Sequence, residues 1–157
     1  MQVLSINTSP GGIPKLPRPS CRVSMRGLEG DAHNHEKHNH PDCAVSLLDL
    51  EMIASLREDG FELVPGSVGE NLTLSGVNVQ DMSIGDRLRF VNPDGSEGPE
   101  IELTKVRKPC FVLDAIHPDL QALAPGRIGF LAKVVREGNL VRAARVVAKP
   151  GRPLASD

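Results

Sequence analysis

The 157-residue chain has no tryptophan, no tyrosine and only four phenylalanines. A nucleic-acid surface that stacks bases on aromatic rings has little to build on here. Positive charge is not in excess either: 18 Lys and Arg stand against 20 Asp and Glu, a formal net charge of −2. That balance gives no broad basic field for a phosphate backbone. There are three cysteines, Cys21, Cys43 and Cys110, with no CxxC pair among them. An odd count at wide spacing fits neither a disulfide scaffold nor a zinc ribbon. No stretch approaches the ~18 apolar residues of a membrane span. The start MQVLSINTSPGG lacks the basic region and apolar run of a signal peptide. A reduced, cytoplasmic setting is the resulting expectation, with neither nucleic acid nor membrane as partner.

What the chain does have is short alternating runs punctuated by Gly and Pro. Val3 to Thr8, Cys21 to Met25, Ala44 to Leu48, Leu72 to Leu74, Arg87 to Val91 and Ile101 to Val106 read as strands. Asn92 to Pro99 reads as a hairpin connection with Asp94-Gly95 as its turn. Ile128 to Arg136 and Leu140 to Val147 read as a second hairpin across Glu137 to Asn139. Asp49 to Asp59 reads as the one good helix, with Asp49 as N-cap and Gly60 just past its end. Leu113 to Leu123 holds a helical turn or two. About eight strands with hairpin connections and no βαβ alternation predict a mostly β fold. The expectation is a small closed, mostly antiparallel β-barrel with peripheral helices. One domain over residues 1–148 and a flexible tail over 149–157 are expected.

The candidate chemistry sits in loops. Pro109 ends the strand Ile101 to Val106, and Cys110 follows it directly. Lys105, Arg107 and Lys108 precede the thiol, and cationic neighbours favour a thiolate, which is both nucleophile and metal ligand. The alternative is a small buried hydrophobe, as free cysteines often are. Pro65 to Asn71 (PGSVGEN) is Gly-rich but precedes a strand and lacks the P-loop lysine. Gly66 and Gly69 would let backbone amides approach an anion, and Asn71 offers donors and an acceptor; an ordinary turn explains the loop equally well. Ser9 to Lys15 is a rigid Gly- and Pro-rich loop carrying the cation Lys15. His33 to His40 packs four of the five histidines into eight residues, beside Asp31, Glu36 and Asp42. Those are metal-binding atoms, but the spacing fits no zinc motif, and a solvated hydrophilic loop is the competing reading.

Taken together and in order, several of these segments resemble the MOSC domain, the module named after the C-terminal part of molybdenum cofactor sulfurase. They are Gly27 to His33 (GLEGDAH), Ala44 to Leu48 with Glu51, Pro65 to Leu72 (PGSVGENL), Gly76, Ile84 to Asp86 (IGD) and Arg107 to Cys110 (RKPC). Ser9 to Lys15 is similar to the opening of stand-alone bacterial members. The resemblance runs from about Val3 to Val147.

It implies a β-barrel and binding of a molybdenum–pterin cofactor (molybdopterin). It also implies that Cys110 is a molybdenum ligand or a sulfur carrier. A thiolate suits such a metal, and it binds deprotonated. Lys15, Arg107 and Lys108 are the candidates for the pterin phosphate. Gly66, Gly69, Glu70 and Asn71 are the candidates to line the pterin, and Asp31 and His33 hold a structural or site-edge place. Some similar proteins reduce N-hydroxylated compounds, so a molybdenum-dependent oxidoreductase is one expectation. A sulfur carrier in cofactor maturation and a non-enzymatic cofactor- or metal-binding module are the others. The pyridoxal-phosphate domain of the sulfurases has no counterpart in these 157 residues, so pyridoxal phosphate attaches by family association only. No flavin or iron–sulfur motif is present, and a reductase would need an electron-donor protein.

Overall fold

The computed structural model describes residues 1–32 and 40–151, apart from the side chain of Phe111. Eleven strands and two short helices are present among them. The strands are β1 Gln2–Thr8, β2 Leu16–Arg18, β3 Ser20–Ser24, β4 Gly27–Leu28, β5 Val45–Asp49, β6 Leu72–Ser75, β7 Arg87–Val91, β8 Glu97–Val106, β9 Phe130–Arg136, β10 Gly138–Val141 and β11 Arg145–Lys149. The helices are α1 Leu50–Glu58 and α2 Leu120–Leu123.

Seven strands close into a barrel in the order β11-β7-β8-β9-β5-β6-β1, and Gln2 opposite Arg145 brings β1 back to β11. Closure removes the open edges that a flat sheet would expose. All barrel pairings are antiparallel except β5 with β6. That parallel pair needs a crossover, and α1 provides it. β2 adds to the outside of β1, and β10, β3 and β4 form a separate small sheet. The expected barrel with peripheral helices is therefore the fold.

Two apolar clusters hold it together. The barrel interior packs Val3, Ile6, Leu47, Leu74, Leu88, Phe90, Ile101 and Leu103. Each such side chain contributes about 1.5–3 kcal/mol by burial. A second cluster lies under the helices: Leu48, Ile53, Leu56, Phe61, Leu63, Leu113, Leu120 and Ile128. α1 begins as the sequence predicts. The Asp49 carboxylate accepts from the Met52 amide at 2.9 Å, and Gly60 at φ +100 ends the helix with its amide on the Arg57 carbonyl.

Three local expectations are corrected. The strand expected at Ile101 begins at Glu97, because the chain continues through Gly98-Pro99 with register shifts on both sides. Gly98 suits that path, since a Cβ would crowd the Phe90 carbonyl oxygen at 3.1 Å. The expected hairpin of 128–136 with 140–147 does not form. β9 pairs with β8 and β5, β10 with β3, and β11 with β7 and β1. Gly138 makes the departure possible: it runs so close to Gly98 that a Cβ would meet backbone at 2.8 Å. Finally, β11 continues to Lys149 opposite Arg87, and the Gly151 amide donates to Asp86 at 2.9 Å. Residues 152–157, the rest of the expected tail, lie outside the described residues.

Candidate functional site

Strand direction brings the candidate loops together. Ile6 on β1 and Leu47 on β5 both pair with Leu72, the first residue of β6. Ser46 on β5 pairs with Leu131 on β9, which also faces Lys105 near the end of β8. The end of β1, the starts of β6 and β9 and the end of β8 are thus one end of the barrel. The loops at 9–15, 65–71 and 107–110 all leave from that end.

A buried polar knot closes it. Asn7, Ser46, Glu70, Asn71 and Thr73 are all buried. Asn71 Oδ1 accepts from the Ser46 amide at 3.0 Å, and the Ser46 hydroxyl accepts from the Asn71 amide at 3.0 Å. Asn71 Nδ2 donates to the Asn7 carbonyl at 3.2 Å and to Asp31 Oδ2 at 2.8 Å. Asn7 Nδ2 donates to the Glu70 carbonyl at 3.2 Å and to the Thr73 hydroxyl at 3.1 Å. The Thr73 hydroxyl donates to Glu70 Oε2 at 3.1 Å. Buried polar groups are tolerated when paired in this way.

Asp31 ties the knot to the first loop. Its Oδ1 accepts from the Ser9 amide at 3.0 Å, and its Oδ2 pairs with Lys15 Nζ at 2.6 Å. The Asp31 side chain is 0% exposed and that of Lys15 11%, so the pair is nearly sealed. Lys15, a candidate for the pterin phosphate, is thus engaged with Asp31. The Lys15 amide also donates to the Gly66 carbonyl at 2.9 Å.

The glycines serve this loop packing. Gly66 has φ +91, and a Cβ there would lie 2.1 Å from the Lys15 carbonyl oxygen. Gly69 has φ +88, and a Cβ would lie 2.8 Å from Ile13 Cγ2 and 3.2 Å from Arg107 Nη2. The loop also encloses a carboxyl of its own. Burial raises the pKa of the Glu70 carboxyl, and the Gly66 and Glu70 amides, the Arg107 guanidinium and the Thr73 hydroxyl act in the opposite direction.

Arg107 lies across the same loop. Its amide donates to the Gly129 carbonyl at 3.0 Å, and its Nη2 donates to the Val68 carbonyl. The residue as a whole is partly exposed, but Nη1 is closed off from solvent. Burial lowers the pKa of the guanidinium, opposed by Glu70 and by the nearby Cys110. Arg107 Nη1 and Glu70 Oε1 are the buried side-chain polar atoms without a hydrogen-bond partner among the described residues.

Cys110 follows at the head of a 3-10 turn, Phe111–Ala115, and its carbonyl accepts from the Leu113 amide at 3.1 Å. It is partly exposed, whereas Cys21 and Cys43 are buried. Cys21 donates weakly to the Glu29 carbonyl at 3.3 Å, and burial raises its pKa. Lys108 is exposed beside Cys110. His33 and most of the histidine tract lie outside the described residues. Among the described residues, no group of three His, Cys, Asp or Glu is placed to hold a metal.

The sequence reading missed Asn7, Ser46 and Thr73. A signal existed for two of them: Ser46 and Thr73 each stand between apolar neighbours, whereas Asn7 lies in a run that also contains Ser5 and Thr8. A cleft of about 370 Å³ runs along the β3–β4 hairpin from Ser24 to Asp31. It shares Asp31 with the knot but includes neither Arg107 nor Cys110, so its size does not make it the reactive centre.

Solved structures share this fold. YiiM from Geobacillus stearothermophilus superposes with a TM-score of 0.75 at 26% identity, covering 94% of this chain and 74% of that one. The YuaD protein from Bacillus subtilis gives a TM-score of 0.75 at 17% identity, covering 94% of each chain. YiiM from Escherichia coli gives 0.65 at 22% identity, covering 95% of this chain and 71% of that one. At those lower identities the last two show the fold alone. No curated protein matches the chain. The pattern that defines the MOSC domain matches residues 34–148, taking in the 65–71 loop, Arg107 and Cys110 but not Lys15 or Asp31. With most of its length matched and the barrel closed in the expected way, the chain belongs to the MOSC domain family.

Proposed function

We propose that this protein binds a molybdenum–pterin cofactor with Cys110 as its thiolate ligand, and that it reduces N-hydroxylated compounds. The MOSC family is associated with molybdenum-cofactor binding or sulfurase activity. One observation carries the finer reading. The only partly exposed cysteine among the described residues stands beside a guanidinium that keeps a sealed, unpartnered nitrogen. A soft thiolate and a free N–H donor are the two groups that a metal bearing a phosphorylated organic ligand requires.

The residues present fit that group. Cys110 supplies the sulfur. Arg107 supplies a donor to an anionic oxygen. Lys108, exposed and two residues before the thiol in sequence, is a further cation for an anionic group. Lys15 acts through Asp31, holding the 9–15 loop against the 65–71 loop. Gly66 and Gly69 let these two loops meet, and Glu70 and Asn71 fix the second loop from inside the barrel. Asp31 joins them; His33, also proposed for the site edge, lies outside the described residues. The chemistry such a group supplies when bound is two-electron redox at the metal. Electrons for turnover come from a separate donor protein, and the unit that functions is the single domain of residues 1–148.

Reduction of an N-hydroxylated base by reduced viologen dye tests this, using protein from a host that makes the cofactor. Turnover that is lost in Cys110→Ala is expected. Equal rates in the two proteins would refute it. The same site supports a second reading, because a partly exposed thiol near positive charge also suits a sulfur carrier. A mass increase of about one sulfur atom on Cys110, with no turnover, would favour that reading.

A further inference from the structure

Arg107 carries the chain from β8 into the loop of Cys110, and its amide makes the last rung of that ladder, on the Gly129 carbonyl at 3.0 Å. Beyond it Pro109 has no amide hydrogen to donate. Among the described residues no further backbone hydrogen bond forms until the Cys110 carbonyl accepts from Leu113. The place of the Gly129 peptide therefore decides where the segment starts. Gly129 is buried at φ +83, and a Cβ on it would lie 1.8 Å from the Leu47 carbonyl oxygen. A buried backbone amide needs a partner. The Gly129 amide finds one in a side chain 49 residues away, donating to Gln80 Oε1 at 2.7 Å. Gln80 is itself held from both sides. It sits in a 3-10 turn, Val79–Asp81, whose first amide donates to the buried Asp49 carboxylate at 3.1 Å. Its own amide donates to Asn78 Oδ1 at 3.2 Å. The same Asp49 carboxylate caps α1, so the turn is tied to the helix start.

We infer that Gln80 is a positioning residue for the Cys110 segment: by fixing the Gly129 peptide it sets the anchor from which Arg107, Lys108 and Cys110 leave the barrel. The inference deepens the reading of Cys110 as the residue that holds a ligand, and rests on it. No hydrogen bond joins Gln80 to Cys110; the side chain acts through the Gly129 peptide. Arg107 is gripped by two backbone carbonyls, its amide by Gly129 and its Nη2 by Val68. The Val68 grip belongs to the 65–71 loop, which the polar knot holds. The Gly129 grip depends on Gln80, which stands outside the knot. A reactive group is placed only as exactly as the residues that support it. Gln80 lies between the family-like segments at Gly76 and Ile84 to Asp86 and belongs to neither.

Gln80→Met keeps the length of the side chain and removes the strong acceptor, whereas Gln80→Glu keeps an acceptor for the Gly129 amide. Hydrogen exchange at the Arg107 amide and the rate of Cys110 alkylation by iodoacetamide are the readouts, and neither needs bound metal. In Gln80→Met the Arg107 amide should exchange about tenfold faster than in wild type, because its rung opens locally. Alkylation of the partly exposed Cys110 should rise about threefold as the segment loosens around it. Gln80→Glu should bring both readouts back to within about twofold of wild type. Asn92→Ala is the structural control, since it removes hydrogen bonds to Asn139 and Val141. It should lower the melting temperature and leave both readouts unchanged. Unchanged exchange and alkylation in Gln80→Met would overturn the inference. So would no recovery in Gln80→Glu, or equal changes in Gln80→Met and Asn92→Ala. Molybdenum content separates this from the parent reading. Metal lost in Cys110→Ala, with Gln80→Met matching wild type in both readouts, overturns the inference and keeps the cofactor. Both readouts moving as expected in a protein that never holds molybdenum keeps the inference and overturns the cofactor.

Discussion

Around Phe90, Leu103 and Leu74 the barrel interior is carbon packed on carbon; around Asn7, Ser46, Glu70, Asn71 and Thr73 it is a hydrogen-bonded knot. Both regions are closed to water, but they contribute differently. The apolar region gains free energy from burial and tolerates any arrangement that fills its volume. The polar knot gains little net free energy, since each bond replaces one to water. It gives direction instead: its bonds fix the 65–71 loop against β1 and β5 and, through Asp31, against the loop that carries Lys15. Asn92 is the useful control. It is also buried, bonds the Asn139 carbonyl at 2.9 Å and accepts from the Val141 amide at 3.0 Å, and leaves nothing unpaired. The contrast is between Asn92, which holds a turn between β7 and β8, and Glu70, whose carboxyl is sealed inside the knot beneath the 65–71 loop.

Substitutions can break this comparison. Phe90→Ala should have the largest effect, a loss of about 3–5 kcal/mol in urea unfolding, because the ring is fully buried in the apolar core. The fraction that remains folded should keep the normal iodoacetamide reactivity of Cys110. Lys15→Met comes next, at about 2 kcal/mol, because it leaves the sealed Asp31 carboxylate without its cation but with the Ser9 and Asn71 donors. Faster proteolysis within residues 9–15 should accompany it.

Glu70→Gln sharpens the comparison through pH. Burial raises the Glu70 pKa above the ordinary glutamate value of 4.5, so the folded state binds this proton more tightly than the unfolded chain does. Its contribution is therefore fully present below about pH 4.5 and is lost as pH rises through the folded value. Urea midpoints at pH 5 and pH 8 should show the wild type losing ground to Glu70→Gln at the higher pH. A gap that widens in the opposite direction would contradict the burial argument. Arg89→Ala should matter least. Its exposed pairing with Glu97 at 2.9 Å is worth less than about 1 kcal/mol.

Much of the barrel was legible because one-sided burial leaves a period-2 trace, as in β7 with Leu88 and Phe90 buried. The helix was legible from Asp49 and Gly60. The pairing of the last strands was not. Nothing local in Gly138–Val141 distinguishes a hairpin partner for β9 from a partner for β3, and the deciding contact is backbone against backbone at Gly98. The site divides similarly. Cys110 and Arg107 stood out because they cluster in sequence beside a strand end. Asn71 was noted for its donors and acceptor in a Gly-rich loop, and Glu70 entered through the likeness of that loop to the MOSC pattern. Asn7, Ser46 and Thr73 did not stand out, because their value lies in being brought together by the pairing of β6 with both β5 and β1. A lone polar residue in an apolar run does not say which partner will satisfy it.

The account turns on Cys110 as the residue that holds the cofactor, and molybdenum content by elemental mass spectrometry tests it most directly. Wild type and Cys110→Ala would be purified from a host that makes the cofactor. The account predicts close to one molybdenum per wild-type chain and almost none in the variant. Equal molybdenum in both, or none in a wild type purified alongside a loaded control enzyme, would contradict it.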